Sequence, residues 1–203
     1  MSARPDGTKI GQAAAGGQGQ DAGGVAPAPG AKAPPAKGPS LPFCGDFAIR
    51  IARDGTWFYQ GTPIGRKPLV KLFASVLRRE ADGDYWLVTP YERGRIVVDD
   101  APFVAVECDV EGGGEAQRLV FRTNIDELVT AGPEHPIRVV ERPAAEGRPA
   151  EPSPYVLVRP GLEALIARPV FYQLVERAVP DPTDPAALGL WSGGCFFRLG
   201  SLA

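Results

Sequence analysis

The chain has 203 residues, three cysteines, one histidine and a net charge of −2. No apolar run approaches the about 20 residues that span a bilayer, and a slightly acidic chain lacks the concentrated positive field of a general nucleic-acid binder. A single histidine excludes a multi-histidine metal site, and without a C-x-x-C, Cys44, Cys108 and Cys195 indicate neither a zinc knuckle nor a disulfide framework.

Residues 1–40 contain 10 Ala, 9 Gly and 6 Pro and no aromatic residue. Such a segment buries too little apolar surface to offset the entropy of ordering it, so a disordered tail is expected. It has no continuous apolar stretch after a basic start, so it is a poor secretory signal. Its Gly16–Gly24 run resembles a phosphate loop, but no strand precedes it and no helix follows. The tail is +2 and the whole chain −2, leaving −4 for the rest. The remaining residues suit one domain or two small ones, divided here into units 41–94 and 95–203.

Phe47, Ile49 and Ile51 alternate with Ala48, Arg50 and Ala52, which predicts a strand. Asp54-Gly55 predicts a tight I′ hairpin turn, with Trp57–Tyr59 as the return strand. Pro68 opens a helix over 69–80, where its missing N–H costs nothing. Leu69, Leu72, Phe73, Val76 and Leu77 form its apolar stripe. Asp82-Gly83 turns the chain into a strand at 85–88. The segment 89–94, with Thr89 and Glu92, reads as the joint between units.

Strands are expected at 95–98, 104–110, 117–122, 127–130, 137–140 and 155–159. Residues 125–130 read as strand in preference to a short helix capped by Asn124. Gly112-Gly113-Gly114 and 132–135 are turns, and 143–154 is a loop. A helical run over 162–178 is broken by Pro169, with Leu165, Ile166, Val170, Leu174 and Val175 facing the core. Pro180, Pro182 and Pro185 lead stiffly into a last strand at 190–199. An extended run, a basic residue beside a helix start, a helix and an aromatic strand thus occur twice in the same order.

Several residues carry chemistry, each with a duller alternative. His135, in a turn before Pro136, is a general acid–base candidate or a polar turn residue. Thr123-Asn124 at a strand end hold a ligand or cap a turn. Arg66, Arg138, Arg159 and Arg168 lie near element ends, where guanidinium forks meet carboxylates or phosphates, or form ion pairs with Glu92, Asp99 or Asp100. Asp99 and Asp100 are adjacent on a strand end and point to opposite sides, so they share no catalytic task. Leu190-Trp191-Ser192-Gly193-Gly194 misses the nucleophile elbow, lacking its first glycine and its helix. Cys108 and Cys195 share strand parity with apolar residues and read as buried small hydrophobes; a reducing cytoplasm suits them.

The runs Asp54-Gly55-Thr56-Trp57, Pro63-Ile64 with Arg66, Leu69-Val70-Lys71-Leu72-Phe73, Gly83-Asp84-Tyr85 and Thr89-Pro90-Tyr91-Glu92 form one set. Asp100-Ala101-Pro102-Phe103, Thr123-Asn124, His135-Pro136, Ser192-Gly193-Gly194 and Phe197-Arg198-Leu199-Gly200 form another. In this order, over 43–200, the chain resembles the bacterial family of domain of unknown function 1285 (DUF1285). The resemblance implies a duplicated α+β core in two packed units, the C-terminal one superficially similar to a pleckstrin-homology barrel. It also implies a small, nucleotide-like ligand at their interface and a link to signalling.

The expectation is therefore a cytoplasmic α+β protein that binds or senses a small ligand at the seam. The candidates are Arg66, Thr89, Glu92, Thr123, Asn124, His135, Arg138 and Arg159, with no cofactor, metal, nucleic acid or membrane. The alternatives are an enzyme using His135 beside Thr123-Asn124, or an interaction module tethered by the tail.

Overall fold

The computed structural model describes residues 43–142 and 151–201; the expected tail, and part of the 143–154 loop, lie outside them. The architecture is α+β, mostly sheet, with two α-helices. The first half holds β1 (Phe43–Ile51), β2 (Trp57–Tyr59), β3 (Thr62–Pro63), α1 (Lys67–Ser75), β4 (Leu77–Arg79), β5 (Tyr85–Val88) and β6 (Arg93–Val98). The second holds β7 (Phe103–Glu111), a 3-10 turn (Gly114–Ala116), β8 (Arg118–Thr123), β9 (Leu128–Thr130), β10 (Ile137–Arg142), β11 (Glu151–Arg159) and β12 (Leu162–Ile166). It continues with α2 (Arg168–Val175), β13 (Val179–Pro180), β14 (Ala187–Ser192) and β15 (Cys195–Ser201).

Two six-stranded sheets run β3-β2-β1-β6-β5-β4 and β10-β11-β12-β7-β8-β9, and β13-β14-β15 form a third. Each large sheet has one parallel seam, β1 with β6 and β12 with β7, and is otherwise antiparallel. The unit boundary expected after Gly94 falls inside β6, whose residues pair with both β1 and β5. One continuous core joins the halves: Ile51, Trp57 and Leu77 from the first, and Phe103, Phe121, Leu162, Ile166 and Leu174 from the second.

Three expectations are corrected by how side chains find cover. The first helix ends at Ser75, and residues 77–79 become strand β4, pairing Leu77 with Leu87. Leu77 is fully buried there, while Leu72 of the expected stripe is 60% exposed. The buried face of α1 is instead Val70 and Ala74, with Phe73 half-buried and stacked on Trp57 at 6.3 Å. Sheet pairing overrides a helical pattern that continued past Ser75.

The second helical run is a strand followed by a helix. Leu162, Ala164 and Ile166 are buried alternately along β12, a period of two. Pro169 sits in the first turn of α2, so it starts a helix as Pro68 does, in place of kinking one. Val175, expected in the core, is exposed, whereas Val170, Phe171 and Leu174 are buried.

The last expected strand is the hairpin β14–β15. Gly193 and Gly194 have φ of 57° and 75°, the paired left-handed geometry of a tight hairpin turn. At the first hairpin only Gly55 is left-handed, at 82°, so the expected I′ turn is absent; Asp54 Oδ1 accepts instead from Thr56 N at 2.9 Å. No helix among the described residues is long and apolar enough to cross a membrane.

Candidate functional site

The turn between β8 and β9 meets α1 across the two halves. Thr123 ties this turn together: its N donates to Glu127 O (2.9 Å), its carbonyl accepts from Asp126 N (2.9 Å), and its Oγ1 accepts from Glu127 N (3.1 Å). Asn124 fastens the turn to both halves. Its Oδ1 accepts from Val104 N (3.1 Å) and its Nδ2 donates to Gly55 O (3.1 Å). A Cβ on Gly55 would lie 2.4 Å from that Nδ2, so the approach requires glycine. Asn124 therefore bridges the β1–β2 turn to β7, and no helix follows for it to cap.

These bonds hold Asp126 in the left-handed region, at φ 63°; only Gln60 shares that geometry among the described non-glycine residues. The Asp126 carboxylate meets Lys67 Nζ at 2.6 Å and Lys71 Nζ at 2.8 Å, one turn apart on α1, and Arg122 Nη1 at 3.4 Å. The Lys67 and Lys71 hydrogen bonds pull its pKa down to about 2. Arg159, on β11, donates to Ala74 O at the end of α1 (3.1 Å) and to Glu127 Oε2 (3.1 Å). Its guanidinium stands 5.2 Å from the Phe103 ring centre. Its buried Nε has no hydrogen-bond partner among the described residues. Arg66 is the extended, exposed N-cap residue of α1; its carbonyl accepts from Leu69 N (2.9 Å) and Val70 N (3.2 Å), and its side chain makes no hydrogen bond or ion pair to a described residue. Lys71, Ser75, Ile125, Asp126, Glu127 and Arg159 line a hollow of about 340 Å³.

The structure thus gathers Thr123, Asn124 and Arg159 at the junction, with Arg66 beside Lys67 in the chain. It places the other candidates elsewhere. His135 Nδ1 lies 2.9 Å from Leu157 O, a carbonyl that can only accept, so Nδ1 carries the proton. Arg138 makes a two-pronged pair with Glu163 at 2.5 and 2.6 Å, and lies 4.6 Å from the Tyr155 ring centre. Arg168 pairs with Glu151. Thr89 Oγ1 donates to Glu92 O (3.0 Å) and accepts from Glu92 N (3.1 Å), so these two form a turn. Both also line a separate hollow in the first sheet.

Other chemistry is structural. Ser192 is fully buried; its Oγ accepts from Leu119 N (2.9 Å) and donates to Ala131 O (2.7 Å). Burial, with Asp109 adding to it, pushes the Cys108 thiol up to about 12, far from a thiolate nucleophile. Asp99 pairs with Arg50 in the first sheet, whereas Asp100 accepts from Tyr155 OH at 2.8 Å and pairs with Arg53 at 3.1 Å, so the neighbours do face apart. Among the described residues no group of three metal-ligating side chains occurs.

Sequence reasoning missed Lys67, Lys71, Asp126 and Glu127. The spacing of Lys67 and Lys71, four residues apart on a helix, puts both on one face. What was invisible is that a turn 55 residues onward in the chain supplies their carboxylate.

The chain matches two family models, the N-terminal domain of DUF1285 over residues 34–101 and its C-terminal domain over 102–199. A DUF1285 family protein from Silicibacter pomeroyi DSS-3 is 50% identical, with a TM-score of 0.73 over 80% of this chain and 85% of that one. A second, from Shewanella baltica OS155, is 26% identical, with a TM-score of 0.48 over 64% of this chain and 91% of that one. No curated protein matches the chain. With both domain models matched in order and 50% identity to a solved relative over 80% of the chain, the chain belongs to the DUF1285 family.

Proposed function

We propose that this protein is a cytoplasmic binding module that senses a small, nucleotide-like anion at the junction of α1 with the β8–β9 turn. The observation that carries this reading is Asp126: a left-handed residue whose single carboxylate holds three cations. Lys67, Lys71, Arg122 and Arg159 are the cations here, with Arg66 next to Lys67 in the chain; Glu107, Asp126 and Glu127 are the carboxylates bonded to them. Positive charge is in local excess although the chain as a whole is negative. A phosphate group offers more acceptor oxygens than Asp126 and would compete for Lys67 and Lys71. Buried Ile125 gives the hollow an apolar side against which a base or ring would rest.

A repeated core, the C-terminal copy pleckstrin-homology-like, belongs to the same reading. Two runs support it: β2, a turn with left-handed Gly61, β3, α1 and three strands; and β11, a turn with left-handed Gly161, β12, α2 and three strands. In such an arrangement a ligand at the junction would set how the halves meet, the basis for a signalling role.

Calorimetric titration with adenosine monophosphate and with inorganic pyrophosphate tests the reading. The parent should bind at least one of them. Lys71→Ala should bind about ten- to a hundredfold more weakly, as loss of a charge-assisted hydrogen bond implies. Absence of binding by the parent, or unchanged binding by the variant, would refute it.

A further inference from the structure

The first sheet holds another hollow, of about 470 Å³, a size suited to a small organic molecule. Phe47 and Ile49 of β1, Leu87 of β5, Phe73 in the last turn of α1 and Val76 just after it supply apolar walls. Tyr59, Gln60 and Thr89 add polar atoms. The shape is built by specific backbone choices. The Phe47 ring lies where a Cβ on Gly94 would come within 2.5 Å, so only glycine at 94 lets the ring lie there. Gln60, at φ 48°, and Gly61, at φ 78°, form the tight turn between β2 and β3, which sets the Gln60 side chain at the hollow.

The charge around this hollow sets the class of ligand. Among the described residues, no lysine, arginine or histidine lines it. Its charged lining residues are Asp46 and Glu92, and Asp46 already pairs with Arg95 at 2.8 Å. An anion would meet two carboxylates and, among the described lining residues, no cation, the reverse of the α1 junction. An uncharged ring system meets three aromatic side chains and the Gln60 amide.

We propose that this hollow is a second binding site, for a small uncharged aromatic molecule that stacks among Phe47, Tyr59 and Phe73 and hydrogen-bonds the Gln60 amide. It is independent of the anion reading.

Two dyes with the same rings separate the outcomes: neutral N-phenyl-1-naphthylamine, and 1-anilinonaphthalene-8-sulfonate, which adds a sulfonate. Fluorescence titration of the full chain should show the neutral dye binding at least about tenfold more tightly. Ala48 is exposed and lines the hollow, so Ala48→Trp adds bulk at its rim. That variant should keep its melting temperature and lose at least about tenfold in affinity for the neutral dye. Val76→Phe is a second filling variant if Ala48→Trp does not fold. Failure of the neutral dye to bind, equal binding of both dyes, or unchanged affinity in the folded filling variant would overturn the proposal. So would loss of the neutral dye as the chain dimerises with rising concentration, because a second copy would then be the occupant.

Discussion

Asn124 shows how one side chain sets up the junction. It spends its amide on Gly55 and its carbonyl on Val104, one residue in each half. Asn124→Ala leaves both partly buried groups without their partners and should cost about 1–3 kcal/mol, read as a lower urea midpoint. The sequence placed Thr123-Asn124 correctly at a strand end but left open whether they hold a ligand or a turn. The bonds show that they hold the turn. Asp126, two residues on, is the residue the turn positions, and its partners come from a distant helix that local pattern does not reveal.

Asp126 also gives the fold an acid sensitivity. Its pKa falls to about 2 in the folded chain, against roughly 3.9 for an unpaired aspartate. Its contribution to stability is therefore complete above about pH 4 and is lost as the pH falls towards about 2. Asp181, lowered to about 2 by Thr183 and Arg198, loses its contribution over the same window. Thermal unfolding followed between pH 5 and pH 2 should fall more shallowly for Asp126→Asn than for the parent, because the variant has one fewer group to protonate. Parallel curves would mean that the lysine contacts do not persist in solution.

At the scale of elements, α1 and β4 separate local pattern from tertiary pairing. The stripe 69-72-73-76-77 fits a helix by spacing alone, yet β5 draws Leu77 into the sheet. Leu77→Ala should cost about 2–5 kcal/mol, as emptying a fully buried site does. Leu72→Ala, on an exposed side chain, should shift stability by no more than about 0.5 kcal/mol. Denaturant midpoints of the two variants check this directly; a long helix burying both leucines would make the losses comparable. The strands at 47–51, 57–59, 85–88 and 104–110 were legible because their alternation or turn residues were strong and their partners near in sequence. The run 162–166 was misread because Leu-Glu-Ala-Leu-Ile suits either period, and its pairing on both sides, antiparallel with β11 and parallel with β7, decides it.

For the whole molecule, the feature beyond reach of local pattern is the pair of parallel seams. Each brings strands from far along the chain side by side, and the second sheet thereby carries Arg159 and the 123–127 turn to the flank of α1. The central claim is that Asp126 occupies the place an anionic ligand takes. The most direct measurement is calorimetric titration of inorganic pyrophosphate into the parent and into Asp126→Asn at pH 7 and fixed ionic strength. Removing the competing carboxylate should tighten binding about tenfold, roughly 1.4 kcal/mol. Equal or weaker binding by a folded Asp126→Asn would contradict the account.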